Sequence, residues 1–119
     1  MENEVREIPG ECNAVLTPIG DALYVIGGKW KLRVIVSLRE GSLRFNEIQR
    51  TVNGISARVL SAELKELEIN GFVKRTVHST RTPVVVEYEL TPYSDSLTEV
   101  LHALAKWGTL HRNKLKTER

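Results

Sequence analysis

The chain has one cysteine, Cys12, among 119 residues. A lone cysteine closes no intramolecular disulfide and builds no multi-cysteine zinc site. Long apolar runs are missing too: none approaches the ~18–20 residues that a membrane span needs. The first ten residues, from Met1 to Gly10, are acidic and lack the apolar core of a secretory signal. The three histidines, His78, His102 and His111, are scattered without metal-ligand spacing, and the carboxylates do not cluster. No glycine-rich phosphate loop follows a strand. These absences predict a small, soluble, cytoplasmic protein with no membrane segment, no cofactor, no metal and no catalytic centre.

What is present suits one ordinary domain. The length lies near the usual single-domain size, and 41% hydrophobic residues are too many for a disordered chain. The net charge of +2 conceals an uneven distribution. Residues 1–16 carry Glu2, Glu4, Glu7 and Glu11 against Arg6 alone, or −3, leaving sixteen basic and eleven acidic residues, or +5, in the rest. A modestly basic body behind an acidic leader permits nucleic-acid binding without requiring it.

Local signals order the elements. Thr17-Pro18 reads as a helix start, a hydroxyl cap followed by proline in the first turn. Ile19, Ala22, Leu23, Val25 and Ile26 follow at helical spacing until Gly27-Gly28 interrupts them. A second helix is predicted over 29–40, with Trp30, Val34, Ile35 and Leu38 apolar and Lys29, Lys31, Arg33 and Arg39 exposed. A short extended link at 43–45 leads to a third helix over 47–52, capped by Asn46 and ended by the Asn53-Gly54 turn. Ser56 caps a fourth helix that runs to Asn70, where Gly71 supplies the left-handed stop. Residues 72–78 and 84–90 read as strands of a hairpin with a polar, mobile tip. Thr91-Pro92 repeats the cap-plus-proline start and opens the longest helix, to about Leu110. Two helices around a glycine turn, followed by a hairpin, form the pattern of a winged helix-turn-helix. The expected fold class is α+β, mainly helical.

The 56–70 helix divides sharply when its residues are placed at about 100° steps. Val59, Leu60, Leu64 and Leu67 fall on one side, to face the core. Arg58, Ser61, Ala62 and Lys65 fall on the other, while Glu63, Glu66 and Glu68 lie on the flanks or beyond. Short side chains permit close approach to a DNA major groove, and the cations reach phosphates or guanine edges. An ordinary solvated helix shows a similar face. The hairpin carries Lys74, Arg75, His78 and Arg81, against Glu87 and Glu89 on the returning strand. This basic tip suits phosphate or minor-groove contact, most clearly for Arg81; for Lys74 and Arg75 a cross-strand charge ladder fits equally well. On the last helix, Leu97, Leu101, Leu104 and Gly108 make one apolar stripe, with Val100, Ala103, Trp107 and Leu110 beside it. The combined arc is wider than one small body needs and suggests contact with a second copy; complete burial within one chain is the other explanation.

Several stretches together resemble a known family: Ile26-Gly-Gly-Lys-Trp-Lys-Leu, Arg44-Phe-Asn-Glu-Ile, the run from Gly54 through Ile-Ser-Ala-Arg-Val-Leu-Ser-Ala-Glu-Leu-Lys-Glu-Leu, Asn70-Gly-Phe-Val-Lys-Arg, Val86-Glu-Tyr-Glu-Leu-Thr and Leu104-Ala-Lys-Trp-Gly. They are similar to the HxlR-type winged helix-turn-helix regulators, relatives of the MarR group, and they span about Cys12 to Leu110 in the family's order. The resemblance implies a cytoplasmic homodimer, formed through the first and last helices, that regulates nearby genes, with repression the expected sign. Its partner would be double-stranded DNA carrying a pseudo-palindromic operator. Residues 1–11 would be a flexible leader, 12–110 the domain and 111–119 a basic tail.

The expected DNA-binding residues are Lys29, Arg44, Asn46, Ser56, Ala57, Arg58, Ser61, Ala62, Lys65, Lys74, His78 and Arg81, with the wing at 79–83 on flanking backbone or minor groove. The expected dimer interface comprises Leu97, Val100, Leu101, Leu104, Trp107, Gly108 and His111. The chain departs from the family at Asn13, where proline usually follows the cysteine, and at Ser94, where glycine is usual. Some members sense oxidants through an N-terminal cysteine, so Cys12 is a candidate redox sensor. Adjacent Glu11 disfavours its thiolate, whereas a helix start at Thr17 would favour it. A small-molecule or oxidant effector is thus an open partner, and any pocket for it would lie between the DNA-binding and dimerisation parts. A winged-helix module that binds protein through the same surface is the competing class.

Overall fold

The computed structural model describes residues 9–118, with side chains from residue 14 onward. Helix α1 (Pro9–Ile26) is followed by α2 (Lys31–Ser37), β1 (Leu43–Arg44), α3 (Phe45–Thr51) and α4 (Ala57–Ile69). Strands β2 (Val73–His78) and β3 (Val85–Leu90) come next, then a 3-10 helix (Pro92–Leu97) and α5 (Thr98–Thr117). The sheet order is β1-β3-β2, and both pairings are antiparallel. In register, Leu43 meets Tyr88, Arg75 meets Tyr88 from the other side, and Lys74 meets Glu89. This is the winged helix-turn-helix expected from the pattern.

The core lies where α2, α3 and α4 converge on the sheet. Val34, Ile35, Ile48, Leu60 and Leu67 are at most 1% exposed, and Leu38, Val52, Ile55, Leu64, Phe72 and Val73 close around them. The α4 periodicity explains its packing: Leu60, Leu64 and Leu67 recur at helical spacing and are buried, with Val59 half-buried beside them. At its end, Asn70 is the C-cap and Gly71 adopts φ +85°, a left-handed conformation that a Cβ disfavours.

Several boundaries differ from expectation. Helix α1 begins at Pro9 rather than Thr17 and runs through Pro18, which removes one backbone hydrogen bond without ending the helix. Its outward position allows this, because residues 14–24 are exposed and the freed carbonyl of residue 14 can be met by water. Helix α2 is shorter than predicted. Helix α3 starts at Phe45, with Arg44 rather than Asn46 at the N-cap; the Arg44 backbone N–H donates to Glu47 Oε1 at 2.7 Å. Thr91-Pro92 starts a 3-10 turn rather than the long helix. The Thr91 hydroxyl donates to the Gly71 carbonyl, tying the end of α4 to the end of β3. Ser94, which stands where the family favours glycine, is 5% exposed, and its hydroxyl is satisfied by the Thr91 carbonyl at 2.6 Å. Helix α5 runs on to Thr117, so residues 111–117 of the expected basic tail are helical.

The molecule is elongated. Its radius of gyration is 18.3 Å and its extents are 65 × 38 × 24 Å, whereas a compact chain of this length has a radius near ~13.5 Å. The excess comes from α1 and α5, which project from the core. Helix α5 buries none of its residues.

Candidate nucleic-acid interface

The helix-turn-helix is α3, the turn at Asn53-Gly54 and α4. Gly54 takes φ +93°, which lets the chain reverse, and it lies beside the Trp30 ring. Trp30 is half-buried against the core, with Lys29 Nζ 4.9 Å and Arg33 Cζ 5.6 Å from its ring centroid. One aromatic ring thus holds two cations beside the turn that precedes α4.

Ser56 is the N-cap of α4 in extended conformation, and its hydroxyl accepts from the Val59 N–H at 3.1 Å. The expected reading residues Ala57, Arg58, Ser61, Ala62 and Lys65 are all exposed along one side. Ile69, in the last turn, extends that side and is 73% exposed, so the face is less uniformly small and polar than its first three turns. Arg44 and Asn46 are exposed at the start of α3. Among the described residues, ion pairs engage Lys31 and Lys114, and His78 shares a hydrogen bond with Glu87. Arg58, Lys65, Arg75 and Arg81 enter none of these.

The wing sorts its residues by strand alternation. Lys74, Thr76 and His78 share the outer face with Glu87 and Glu89, so Lys74 and His78 lie in a mixed-charge setting. His78 Nε2 lies 2.9 Å from Glu87 Oε1. Arg75 shares the opposite face with buried Val73 and core-packed Tyr88, the face turned toward the helices, yet it is exposed. The period of two, counted from Val73, was the signal that could have separated Arg75 from Lys74. Arg81 is exposed at the tip.

Lys31 was expected on the exposed side of its helix and is not there. Its side chain is 12% exposed, with Nζ 2.7 Å from Glu63 Oε1 and 2.9 Å from Glu66 Oε1 of α4. The hydrogen bond to Glu63 leads in raising the Lys31 pKa above 10.5; partial burial opposes it, and Glu66 adds to the rise.

On α5 the residues expected at a dimer interface divide. Leu97 precedes the helix and is 8% exposed within the core of its own chain, so it offers nothing to a partner. Leu101 is half-buried against the same core. Val100, Leu104, Trp107 and Leu110 are exposed, as is Gly108, and His111 stacks on Trp107 with centroids 5.1 Å apart. Helix α1 presents a second exposed apolar row: Val15, Leu16, Ile19 and Leu23. Cys12 falls near the start of α1, and its side chain lies outside the described residues. A groove of about 850 Å³ separates α2 and the end of α3 from α5, lined by Leu32, Val36, Arg39, Leu101, His102 and Leu104 among others.

Comparison with known proteins agrees with this geometry. The HxlR-like helix-turn-helix family matches residues 25–116. The uncharacterized HTH-type transcriptional regulator BH0655 of Halalkalibacterium halodurans is 42% identical over 98 residues, covering 82% of this chain and 86% of its own. The structure of an Enterococcus faecalis V583 protein assigned to the MarR family of transcriptional regulators superposes with a TM-score of 0.72 at 38% identity, over 87% of this chain and 93% of that one. The reduced form of the transcriptional regulator YodB from B. subtilis gives a TM-score of 0.67 at 37% identity, over 76% and 87% of the two chains; that protein is also known in a diamide-treated form. These relatives are regulators rather than enzymes. The chain belongs to the HxlR-like helix-turn-helix family and is a transcriptional regulator with a winged helix-turn-helix DNA-binding fold.

Proposed function

We propose that the protein is a cytoplasmic, homodimeric, sequence-specific repressor that binds a pseudo-palindromic operator. Helix α4 enters the major groove through Arg58, Ser61, Ala62 and Lys65, with Ser56 and Ala57 close to the backbone. Lys29, Arg44 and Asn46 hold flanking phosphates, and the wing reaches the minor groove or backbone through Arg81. Lys74 and His78 contribute less than expected, because they share their face with Glu87 and Glu89. The observation that carries this reading is the exposed α4 face, whose two cations lie among short side chains and enter no ion pair among the described residues.

The exposed apolar rows on α1 and α5 support a dimer. Rows of exposed apolar side chains on two helices mark an interaction site, and a two-fold dimer sets two recognition helices about 34 Å apart. Titrating salt against affinity for duplex DNA tests the reading. Each neutralised phosphate adds ~0.9 to the log–log slope. A protein-binding module using the same surface would show no such slope.

A redox-switched regulator of the same type is the second reading. Helix α1 spans Pro9–Ile26 and includes Cys12; a sensor thiol needs nearby positive charge or a helix N-terminus to favour its thiolate, and adjacent Glu11 works against it. With one cysteine per chain, a disulfide must join two subunits or capture a small thiol. Cys12→Ser protein is expected to bind operator normally; if diamide still releases it, the switch does not run through Cys12.

A further inference from the structure

Lys31 opens α2, where a cation opposes the helix dipole. Its side chain is 12% exposed, and that of its partner Glu63 is 18% exposed, so both charges are partly stripped of water. Glu63 and Glu66 are three residues apart on α4, a spacing at which like charges repel. The body does not require this arrangement, since Val34, Ile35, Leu60 and Leu64 already join α2 to α4 in the core. Buried ion pairs are also a poor source of stability compared with apolar residues of the same size.

The position of the two carboxylates supplies a reason. At 100° per residue, Glu66 lies only about 40° around the helix from Ala62, and its side chain is 59% exposed. Unrestrained, it would face the phosphates of a duplex docked on Arg58, Ser61, Ala62 and Lys65. We propose that Lys31 is a positioning residue for DNA binding. It draws Glu63 and Glu66 against α2, away from the groove, and offsets their charge without touching DNA. The proposal rests on the DNA-binding reading above and adds a residue that tunes it.

The test compares wild type, Lys31→Met and the triple variant Lys31→Met/Glu63→Gln/Glu66→Gln on the duplex that wild type selects, by fluorescence anisotropy over a salt series. Lys31→Met should bind about 5- to 20-fold more weakly at low salt, as expected for like charges brought together, and the gap should narrow as salt screens the exposed carboxylates. The triple variant should recover to within about twofold once both repelling charges are gone. Wild-type affinity in Lys31→Met, or failure of the triple variant to recover, overturns the proposal. Should Lys31→Met fail to fold, Glu63→Gln/Glu66→Gln with Lys31 retained must bind more tightly than wild type, and equal or weaker binding overturns it. A wild-type protein that binds no duplex at any salt removes the DNA-binding reading itself, an outcome distinct from all of these.

Discussion

His78 Nε2 and Glu87 Oε1 meet at 2.9 Å, joining the two wing strands on their outer face. The imidazole is therefore committed to a carboxylate, while Arg75 on the other face and Arg81 at the tip are not. His78→Ala should leave the salt slope of DNA binding unchanged. Arg81→Ala should lower it by ~0.9. Anisotropy titrations of the two variants check this.

The Ser56 cap separates stability from binding. Ser56→Ala removes the acceptor for the Val59 N–H and should cost about 1 kcal/mol in urea unfolding. Ser56→Asp keeps a capping oxygen and should retain stability, but it places an anion against DNA and should weaken binding.

The Lys31 pairing has a defined pH signature. Its pKa is raised in the folded protein above 10.5, first through Glu63. Such a group contributes stability fully below its unfolded pKa and loses that contribution as pH rises through the folded value. The stability difference between wild type and Lys31→Met should therefore be steady from neutral pH to about pH 10 and shrink above 10.5. Urea unfolding of both proteins across that range measures it.

Leucines on and beside α5 should behave in opposite ways. Leu104 is 50% exposed and Leu97 is 8% exposed. Leu104→Glu should leave a folded monomer in sedimentation velocity, with thermal stability at low concentration near wild type. Leu97→Ala should instead cost about 2–4 kcal/mol through a cavity in the core.

Helical and strand periodicity carried most of the architecture, because apolar spacing decides which face is buried. Leu60, Leu64 and Leu67 were legible for that reason. The misjudged residues are those where tertiary packing overrode a local signal. Thr17-Pro18 has the chemistry of a helix start, but an outward-lying helix tolerates an interior proline. Lys31 looked exposed because it is charged, although it precedes Val34, Ile35 and Leu38 by three, four and seven residues and so shares their stripe. Its partners lie on another helix and were not visible from α2. Leu97 heads a stripe that starts against its own body, with Leu101 half-buried beside it, and leaves that body by Leu104.

The central claim is that two copies of α4 read two half-sites of one duplex. Selection of bound sequences from a random duplex pool, at low salt, tests it most directly. The account predicts enrichment of a two-fold symmetric site with half-sites one helical turn apart, ~34 Å between centres, whose base preference relaxes in Arg58→Ala. A pool that shows no enriched sequence would contradict it.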